Sequence, residues 1–458
     1  MLPKYLPLVL SCLFTFMATN LKSSESFIVV AYNVENLFDL DGVSRYEDYE
    51  KKLYGEKELN NKLDSIIRIL KEIGGESGPD IVLLQEIEVD QTPENFPSAT
   101  EILINRLKKE NLGPYQHALG YDPKIPPQYL PSIHCLTLSK FPIVDQVLHP
   151  IPRARPILET TLSINGSSFV LFNNHWKSGA SSEAMEMLRL QSAQVLRQRI
   201  DEIKDMNEEV DFLVGGDLNS HYNQSTVYAE FLEKTGINDV LLSKNLEPTG
   251  VNSTDDLYNL WHELPAEQRR SDAWRGKWGT LMHLILPDSL YDQKGISYVS
   301  DSFAVAKYDG LNSIRGSGLP FKWSNDLDGF GASDHFPIYA KFSTEKTISD
   351  NGRTFAMVEN LLQEVDYSQA RKKILPWEPK FLSPAYYGNL FRFSGVIAPT
   401  KPLALVIKGH RLGHYSFKEN VRKKLFNLRK DSRFSGIGHL SRYRGQWQFI
   451  IEEENWIN

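Results

Sequence analysis

Five apolar runs in this 458-residue chain end in, or begin from, side chains able to do chemistry. Asn33 follows Phe27–Tyr32, Glu86 follows Ile81–Gln85, and His175 closes a run from Phe169. Asp217 and Asn219 follow Phe212–Val214, and Asp334-His335 precedes Phe336–Phe342. Carboxylates and carboxamides are the oxygen donors that a hard cation prefers, and histidine titrates near neutrality. Asp217 and Asn219 are two apart, so an extended backbone points both to one face. Gly215-Gly216 before them allows a close neighbour. Each site alone also suits a turn or a satisfied interior polar group. Together they suggest metal-assisted attack of water on an anionic ester. The chain holds no Gly-x-Ser-x-Gly elbow, no phosphate loop ending in Gly-Lys-Ser/Thr and no plausible catalytic cysteine, which excludes those nucleophile classes.

The elements that must position these residues can be read from periodicity. Leu59, Leu63, Ile66, Ile67 and Leu70 recur at helical spacing until Gly74-Gly75 stops them. Further helices are expected at about Thr100–Lys109 and Ser182–Lys204. Strands are expected at Phe27–Tyr32, Ile81–Leu84, Ile133–Leu138, Ile157–Ile164, Phe169–Asn173, Phe212–Val214, Leu281–Leu286 and Phe336–Phe342. They intermix with helices without strict alternation, which argues for mixed sheets covered by helices, with polar residues gathered at strand ends. Periodicity weakens from Ser343 to Gly388, a polar and Pro-containing stretch that reads as a linker with one helix near Thr354–Val365. Beyond it, short strands at Leu390–Ile397, Leu403–Lys408, Tyr415–Lys418 and Trp447–Ile451, with a short basic helix at Arg422–Arg429, suggest a small barrel.

Length suggests two or three domains. The formal net charge of -7 conceals an asymmetry, because residues 391–458 carry 13 Lys and Arg against 5 Asp and Glu. A basic module of that kind suits an anionic partner. Lys4, the apolar run Leu6–Met17 and polar residues up to Ser24 have the form of a secretory signal peptide. The run is too short for a comfortable membrane span. Export to a periplasmic or extracellular space is therefore expected. Cleavage would remove Cys12 and leave Cys135 as the one thiol, with no internal disulfide.

The order of the segments resembles the endonuclease/exonuclease/phosphatase family, the group similar to deoxyribonuclease I. The matching pieces are Tyr32-Asn33-Val34-Glu35-Asn36-Leu37-Phe38, Pro79–Glu86, Leu138–Ile143, Asn174-His175-Trp176-Lys177, Gly215–Asn219 and Ser333-Asp334-His335. The resemblance runs from about Phe27 to Phe342 and implies a four-layer α/β sandwich of two packed mixed β-sheets. Carried over, it makes Glu86 the principal metal ligand with Asn33 beside it. His175 and His335 flank the scissile phosphate, Asp217 orients the attacking water or binds metal, and Asn219 contacts the phosphate. Asp334 binds metal or polarises His335. Lys177 and Arg275 are further candidate phosphate contacts. The implied cofactor is a divalent metal, Mg²⁺ first, with Mn²⁺ or Ca²⁺ as alternatives.

Met282 departs from the pattern. It stands where the family usually has Asp, and methionine cannot hold a hard cation. Either His283 or a neighbouring carboxylate compensates, or activity is lowered, or a second metal position is absent. The C-terminal stretch resembles an oligonucleotide-binding (OB) barrel through Phe391–Ile397 and Tyr443–Ile450. Basic Lys408, Arg411, Arg442 and Arg444 alternate there with Phe393, Tyr415, Tyr443 and Trp447, a combination suited to phosphate attraction and base stacking.

The expected organisation is a signal peptide over 1–24, a catalytic domain over 25–343, a linker over 344–388 and an OB-like basic domain over 389–458. The expected function is an exported, divalent-metal-dependent nuclease, with DNA favoured over RNA and no stable membrane span in the mature chain. Two alternatives stand beside it. One is a phospholipid or inositol-phosphate phosphodiesterase or phosphatase, and the other is a nucleic-acid-binding pseudoenzyme.

Overall fold

The computed structural model describes residues 26–92, 95–244, 255–292, 294–315, 317–344, 362–372, 374–398 and 404–458. The expected signal peptide and its cysteine lie outside them. Twelve consecutive residues, Ser26–Leu37, form β1. Glu56–Gly74 is α1, ended by Gly75 at φ 69°, and Ile81–Glu88 is β2. Ala99–Lys109 is α2, whose N-cap Ser98 accepts from Glu101 N while Glu101 reaches back to it, a reciprocal cap that satisfies two helix-end donors. Then come β3 (Gln116–Leu119), β4 (Ile133–Ser139), β5 (Ile143–His149), β6 (Ile157–Ile164) and β7 (Ser167–His175). The helix α3 (Glu183–Met206) leads to β8 (Phe212–Asp217). A run of shorter strands follows: β9 (Tyr258–Asn259), β10 (Asp272–Trp274), β11 (Lys277–Gly279), β12 (Met282–Leu286), β13 (Ser297–Tyr298), β14 (Ala304–Val305) and β15 (Ile338–Ser343).

Two mixed sheets result. One has the order β13-β15-β1-β2-β4-β3, with β14 also on β15; the other has β5-β6-β7-β8-β12-β9. Alternation along β1 explains the layering. Phe27, Val29 and Ala31 pack with Leu162, Phe169, Leu171, Leu213, Met282 and Leu284 of the opposite sheet. Val30 and Tyr32 turn the other way and pack with Leu63, Ile66, Leu70 and Leu103 of α1 and α2. On the far side, Phe172, Phe212, Val214 and Ile285 meet Ala193, Leu196 and Ile200 of α3. Strands buried on both faces read as continuous apolar runs, which is why these were visible in the sequence. The expected four-layer α/β sandwich is the observed one.

The C-terminal part is a closed barrel of β17 (Leu390–Ala398), β18 (Ala404–Ile407), β19 (His410–Tyr415), β20 (Arg433–Tyr443) and β21 (Gln446–Ile450), with β16 (Leu375–Pro376) added alongside β17. Its order is β17-β18-β19-β21-β20, β20 pairs back to β17, and β19 runs parallel to β21. A helix, α4 (Glu419–Phe426), connects β19 to β20. That connectivity is the five-stranded Greek-key barrel of the OB fold.

Residues 362–388 do more than connect. Val365 N donates to Gly276 O at 2.7 Å, Trp278 N donates to Gln363 O at 2.8 Å, and Lys277 bridges Glu364. Leu362–Val365 is therefore extended where a helix was expected to end. The rest of that expected helix lies outside the described residues. Trp278 and Phe336 of the sandwich share one apolar cluster with Val365, Tyr367, Trp377, Phe381 and barrel residues including Phe391, Phe393 and Phe449. A second contact joins the two units: the amides of Arg444 and Gly445 both donate to the Asp326 carboxylate, each at 3.1 Å. Phe393, expected on the barrel surface, is 4% exposed in this cluster. Its ring stacks on Phe449 at 4.5 Å, so its aromatic signal belongs to the core.

Candidate active site

The strand ends converge as their composition suggests. His175 and Asp217 are register partners on the parallel pair β7 and β8. Gly216 before Asp217 has φ 116°, and a Cβ there would collide with the Asn174 carbonyl, so only glycine lets β8 lie this close. Glu86 sits at φ 67° where the register of β2 against both β1 and β4 slips. A bulge of this kind re-aims a side chain at a strand end. Here it brings Glu86 to the rim.

The Asn33 carboxamide lies between two carboxylates. Its Nδ2 donates to Glu86 Oε1 and to Asp217 Oδ2, each at 2.9 Å, and its Oδ1 accepts from Glu35 N. His175 Nε2 is 3.6 Å from Glu86 Oε1 and 3.7 Å from Asp217 Oδ2. His335 Nε2 is 3.7 Å from the same Asp217 oxygen and 3.7 Å from Asp334 Oδ1. The Nδ1 atoms of both histidines are buried without a hydrogen-bond partner. Ser333 Oγ donates to Asn33 O at 2.7 Å and accepts from His335 N at 3.0 Å, which fixes the segment carrying Asp334 and His335 to the end of β1. Lys62, wholly buried on α1, closes the same joint by donating to Glu35 O at 2.9 Å and Ala332 O at 2.8 Å.

The two histidines differ electrostatically. Burial, with Arg155, His335 and Lys177 nearby, holds His175 well below the ordinary range, so it is neutral. Burial also works against charge on His335, yet Asp334, Asp217, Asp272 and Glu86 together carry it up to about 9, so it is protonated at neutral pH. Glu86 is raised, first by burial and then by Asp334. One imidazole is thus ready to accept and the other to donate.

Of the other expected residues, Asn219 stands at φ 49° just past β8, and its Nδ2 donates to Trp176 O. Asp334 is the most exposed of the cluster, with Lys322 Nζ 3.8 Å away. Lys177 is half-buried beside His175. Arg275 is exposed at the tip of the β10–β11 hairpin.

Met282 pairs with Asp217 across β12 and β8 and is fully buried. His283 does not compensate for it: its ring is hydrogen-bonded to Asn259 and to Ser220 O, on the other side of the strand. The neighbouring carboxylate is Asp272. It forms an isolated antiparallel bridge with His335 and accepts from Ser271 Oγ at 2.9 Å and Leu281 N at 3.0 Å. Gly279 opposite leaves room for it, since a Cβ there would strike the carboxylate. Sequence reading missed Asp272 because Ser-Asp before a turn is ordinary. It also missed Arg155, whose guanidinium donates to the carbonyls of His175 and Trp176 at 3.0 and 2.7 Å.

The donor set fits a divalent cation. Ligand atoms of Glu86, His175 and Asp217 all lie within 4.8 Å of one another. Two of the three are carboxylates, the hard donors that Mg²⁺ or Ca²⁺ takes.

Residues 28–344 match the sequence profile of the Endonuclease/Exonuclease/phosphatase family, and the chain belongs to it. It is accordingly a metal-dependent hydrolase of phosphoric ester bonds. No curated protein matches the sequence. Among solved structures it is similar to D. rerio TDP2 complexed with single-strand DNA product, at 15% identity and TM-score 0.42 over 69% of this chain and 98% of that one. The human Nocturnin catalytic domain matches at 15% identity and TM-score 0.40, over 69% of this chain and 94% of the other. A beta toxin from Staphylococcus aureus matches at 18% identity and TM-score 0.42, over 69% and 99% of the two chains.

Proposed function

We propose that this chain is a nuclease that hydrolyses phosphodiesters of nucleic acid, DNA in preference to RNA. The observation that carries it is the placement of two imidazoles, those of His175 and His335, each 3.7 Å from one Asp217 oxygen. In this reading Asp217 accepts a proton from the attacking water as its oxygen bonds to phosphorus. His335 gives its proton to the departing alkoxide as the old P–O bond breaks, and neutral His175 holds a phosphoryl oxygen or shares the water's proton. Asn219, Lys177 and Arg155 hold the phosphate in line. Glu86 would hold the divalent cation, Mg²⁺ first, at the edge it shares with Asp217 and His175 and with Asn33 and Asp334 as further candidate ligands, and the cation would supply positive charge against the phosphoryl oxygens.

The preference for a polymeric anion is supported by the barrel. Tyr415 and exposed Phe417 meet edge to face at 5.3 Å with Arg422 over Tyr415 at 5.9 Å. Arg442 lies over Trp447 and Arg444 over Tyr443, at 5.6 and 5.3 Å. No helix among the described residues is long and apolar enough to cross a membrane.

The test uses the mature chain with plasmid DNA, RNA and phospholipid vesicles, with and without chelator. Cleavage of nucleic acid that chelation stops and Mg²⁺ or Mn²⁺ restores is the expected result. His175→Ala should lose about 10²–10⁴-fold in rate while still binding DNA. Cleavage of lipid alone would sink the reading, and DNA binding without any cleavage would mark a pseudoenzyme. We further propose export, on the strength of Lys4 and the apolar run Leu6–Met17. N-terminal sequencing of the protein from fractionated cells tests it, and an intact Met1 in the cytoplasm would refute it.

A further inference from the structure

The sequence Asp272-Ala273-Trp274-Arg275-Gly276-Lys277-Trp278 is a hairpin beside the site. Its two central residues have φ 49° and 79°, the geometry of a two-residue type I′ turn. Asn or Asp usually fills the first of these positions, because a left-handed backbone crowds most side chains. Here it is Arg275, kept in an unfavourable conformation. The two tryptophans have opposite fates. Trp278 is 3% exposed, between Arg270 at 5.0 Å and Lys307 at 5.8 Å. Trp274 is 73% exposed, with the Arg275 guanidinium 5.5 Å from its ring centre.

Placement gives the exposed ring its meaning. Asp272 and His335 are bridge partners, so their side chains share one face of the pair. Trp274 is two residues past Asp272 on the same strand and therefore on that face, about 7 Å further out. The hairpin is braced rather than loose, since Gly276 O and Trp278 N are tied to the 363–365 segment. An exposed aromatic face on a braced hairpin, with exposed Arg275 and Lys277 beside it and a phosphate-cleaving centre next to it, matches a ligand that is flat on one part and anionic on another.

We propose that Trp274, with Arg275, is a stacking platform for the nucleobase adjoining the scissile phosphate of a single strand. An unpaired base offers the π-face that a ring can cover, and a base-paired one does not. Trp274 then sets a requirement for accessible bases at the cut, and Arg275 takes the neighbouring phosphate. This inference rests on the nuclease reading above and names its substrate more closely.

The test is a cycle of two proteins and two ligands. Wild type and Trp274→Ala are titrated, with metal chelated, against a fluorescein-labelled single-stranded deoxyoligonucleotide and its tetrahydrofuran abasic counterpart. The expected result is about tenfold weaker binding of the base-bearing strand by the Ala variant, and equal binding of the abasic strand. Trp274→Phe should restore most of the affinity, which separates stacking from a folding defect. Equal weakening on both strands, or none on the base-bearing strand, overturns the proposal. Overturning it also would be a loss of binding to phosphatidylcholine vesicles with oligonucleotide binding unchanged, which assigns the ring to a lipid surface. If the metal-loaded wild type cuts no oligonucleotide, the nuclease reading falls and this inference falls with it. If the wild type cuts and the cycle shows no coupling, the stacking platform alone is refuted.

Discussion

Asp272 and His335 are partners in a single antiparallel bridge, and Phe336 N donates to Ser271 O at 2.6 Å to hold it. The carboxylate therefore stands beside His335 from a strand that carries no sequence motif. Asp272 is one of four acids that keep His335 charged up to about 9. Asp272→Asn removes that charge with little change of shape. Activity of the wild type should fall as pH rises through about 9 and His335 loses its proton. In the variant that alkaline limb should move down by about one unit, with roughly twofold lower kcat at pH 8 and close to tenfold lower kcat at pH 10. A pH–kcat profile measures both, and an unmoved limb would remove Asp272 from the site.

Met282 should matter less than its position suggests. It is fully buried against Leu284 and Leu213 in the central core, and charge at the site is supplied from β10 instead. Met282→Leu should keep activity within about twofold and cost less than about 1.5 kcal/mol. Met282→Asp should lose stability and gain no activity, because it places a second carboxylate directly across from Asp217. Steady-state rates and chemical denaturation decide, and a faster Asp variant would contradict the assignment.

Two residues beyond Glu86 on β2, Glu88 makes the fold lose stability as pH rises. Burial, followed by Asp39 nearby, pushes it up to about 9, whereas an unfolded glutamate titrates at about 4.3. The folded chain thus holds a proton that the unfolded chain has released between those values. Stability must fall as pH rises across that window. Glu88→Gln can still accept from Asp39 N, which now donates to Glu88 Oε2 at 2.9 Å. Its melting temperature should exceed that of the wild type at pH 9 and the two should converge near pH 5. Parallel melting curves at all pH values would refute this.

Deleting residues 389–458 should do more than remove a binding surface. Trp278 and Phe336 pack into the cluster that the barrel completes, and Phe336 adjoins His335. The truncated chain should melt well below the full one, lose activity, and bind DNA with a shallower salt dependence. Calorimetry of the full chain should give one transition. Two separated transitions, with an unchanged lower one after truncation, would show that the units are independent.

Much of this architecture was legible in the sequence, for a physical reason. Strands buried on both faces must be apolar throughout, so Phe27–Tyr32, Ile81–Leu84 and Phe212–Val214 announced themselves, and the polar residues that ended them marked one rim. Asp272 and Arg155 were not legible, because both reach the site from turn-rich segments and through backbone contacts. Phe393 misled in the other direction, since an aromatic beside basic residues looks the same in sequence whether it faces solvent or core.

The carboxylate of Asp326 occupies the backbone amides of Arg444 and Gly445. Two adjacent N–H groups can hold one anion at a time. A phosphate lodging at that turn must displace Asp326 and loosen the barrel from the sandwich. Docking and capture at this turn are thus rivals, and whatever the barrel grips there it grips at the expense of its own anchorage.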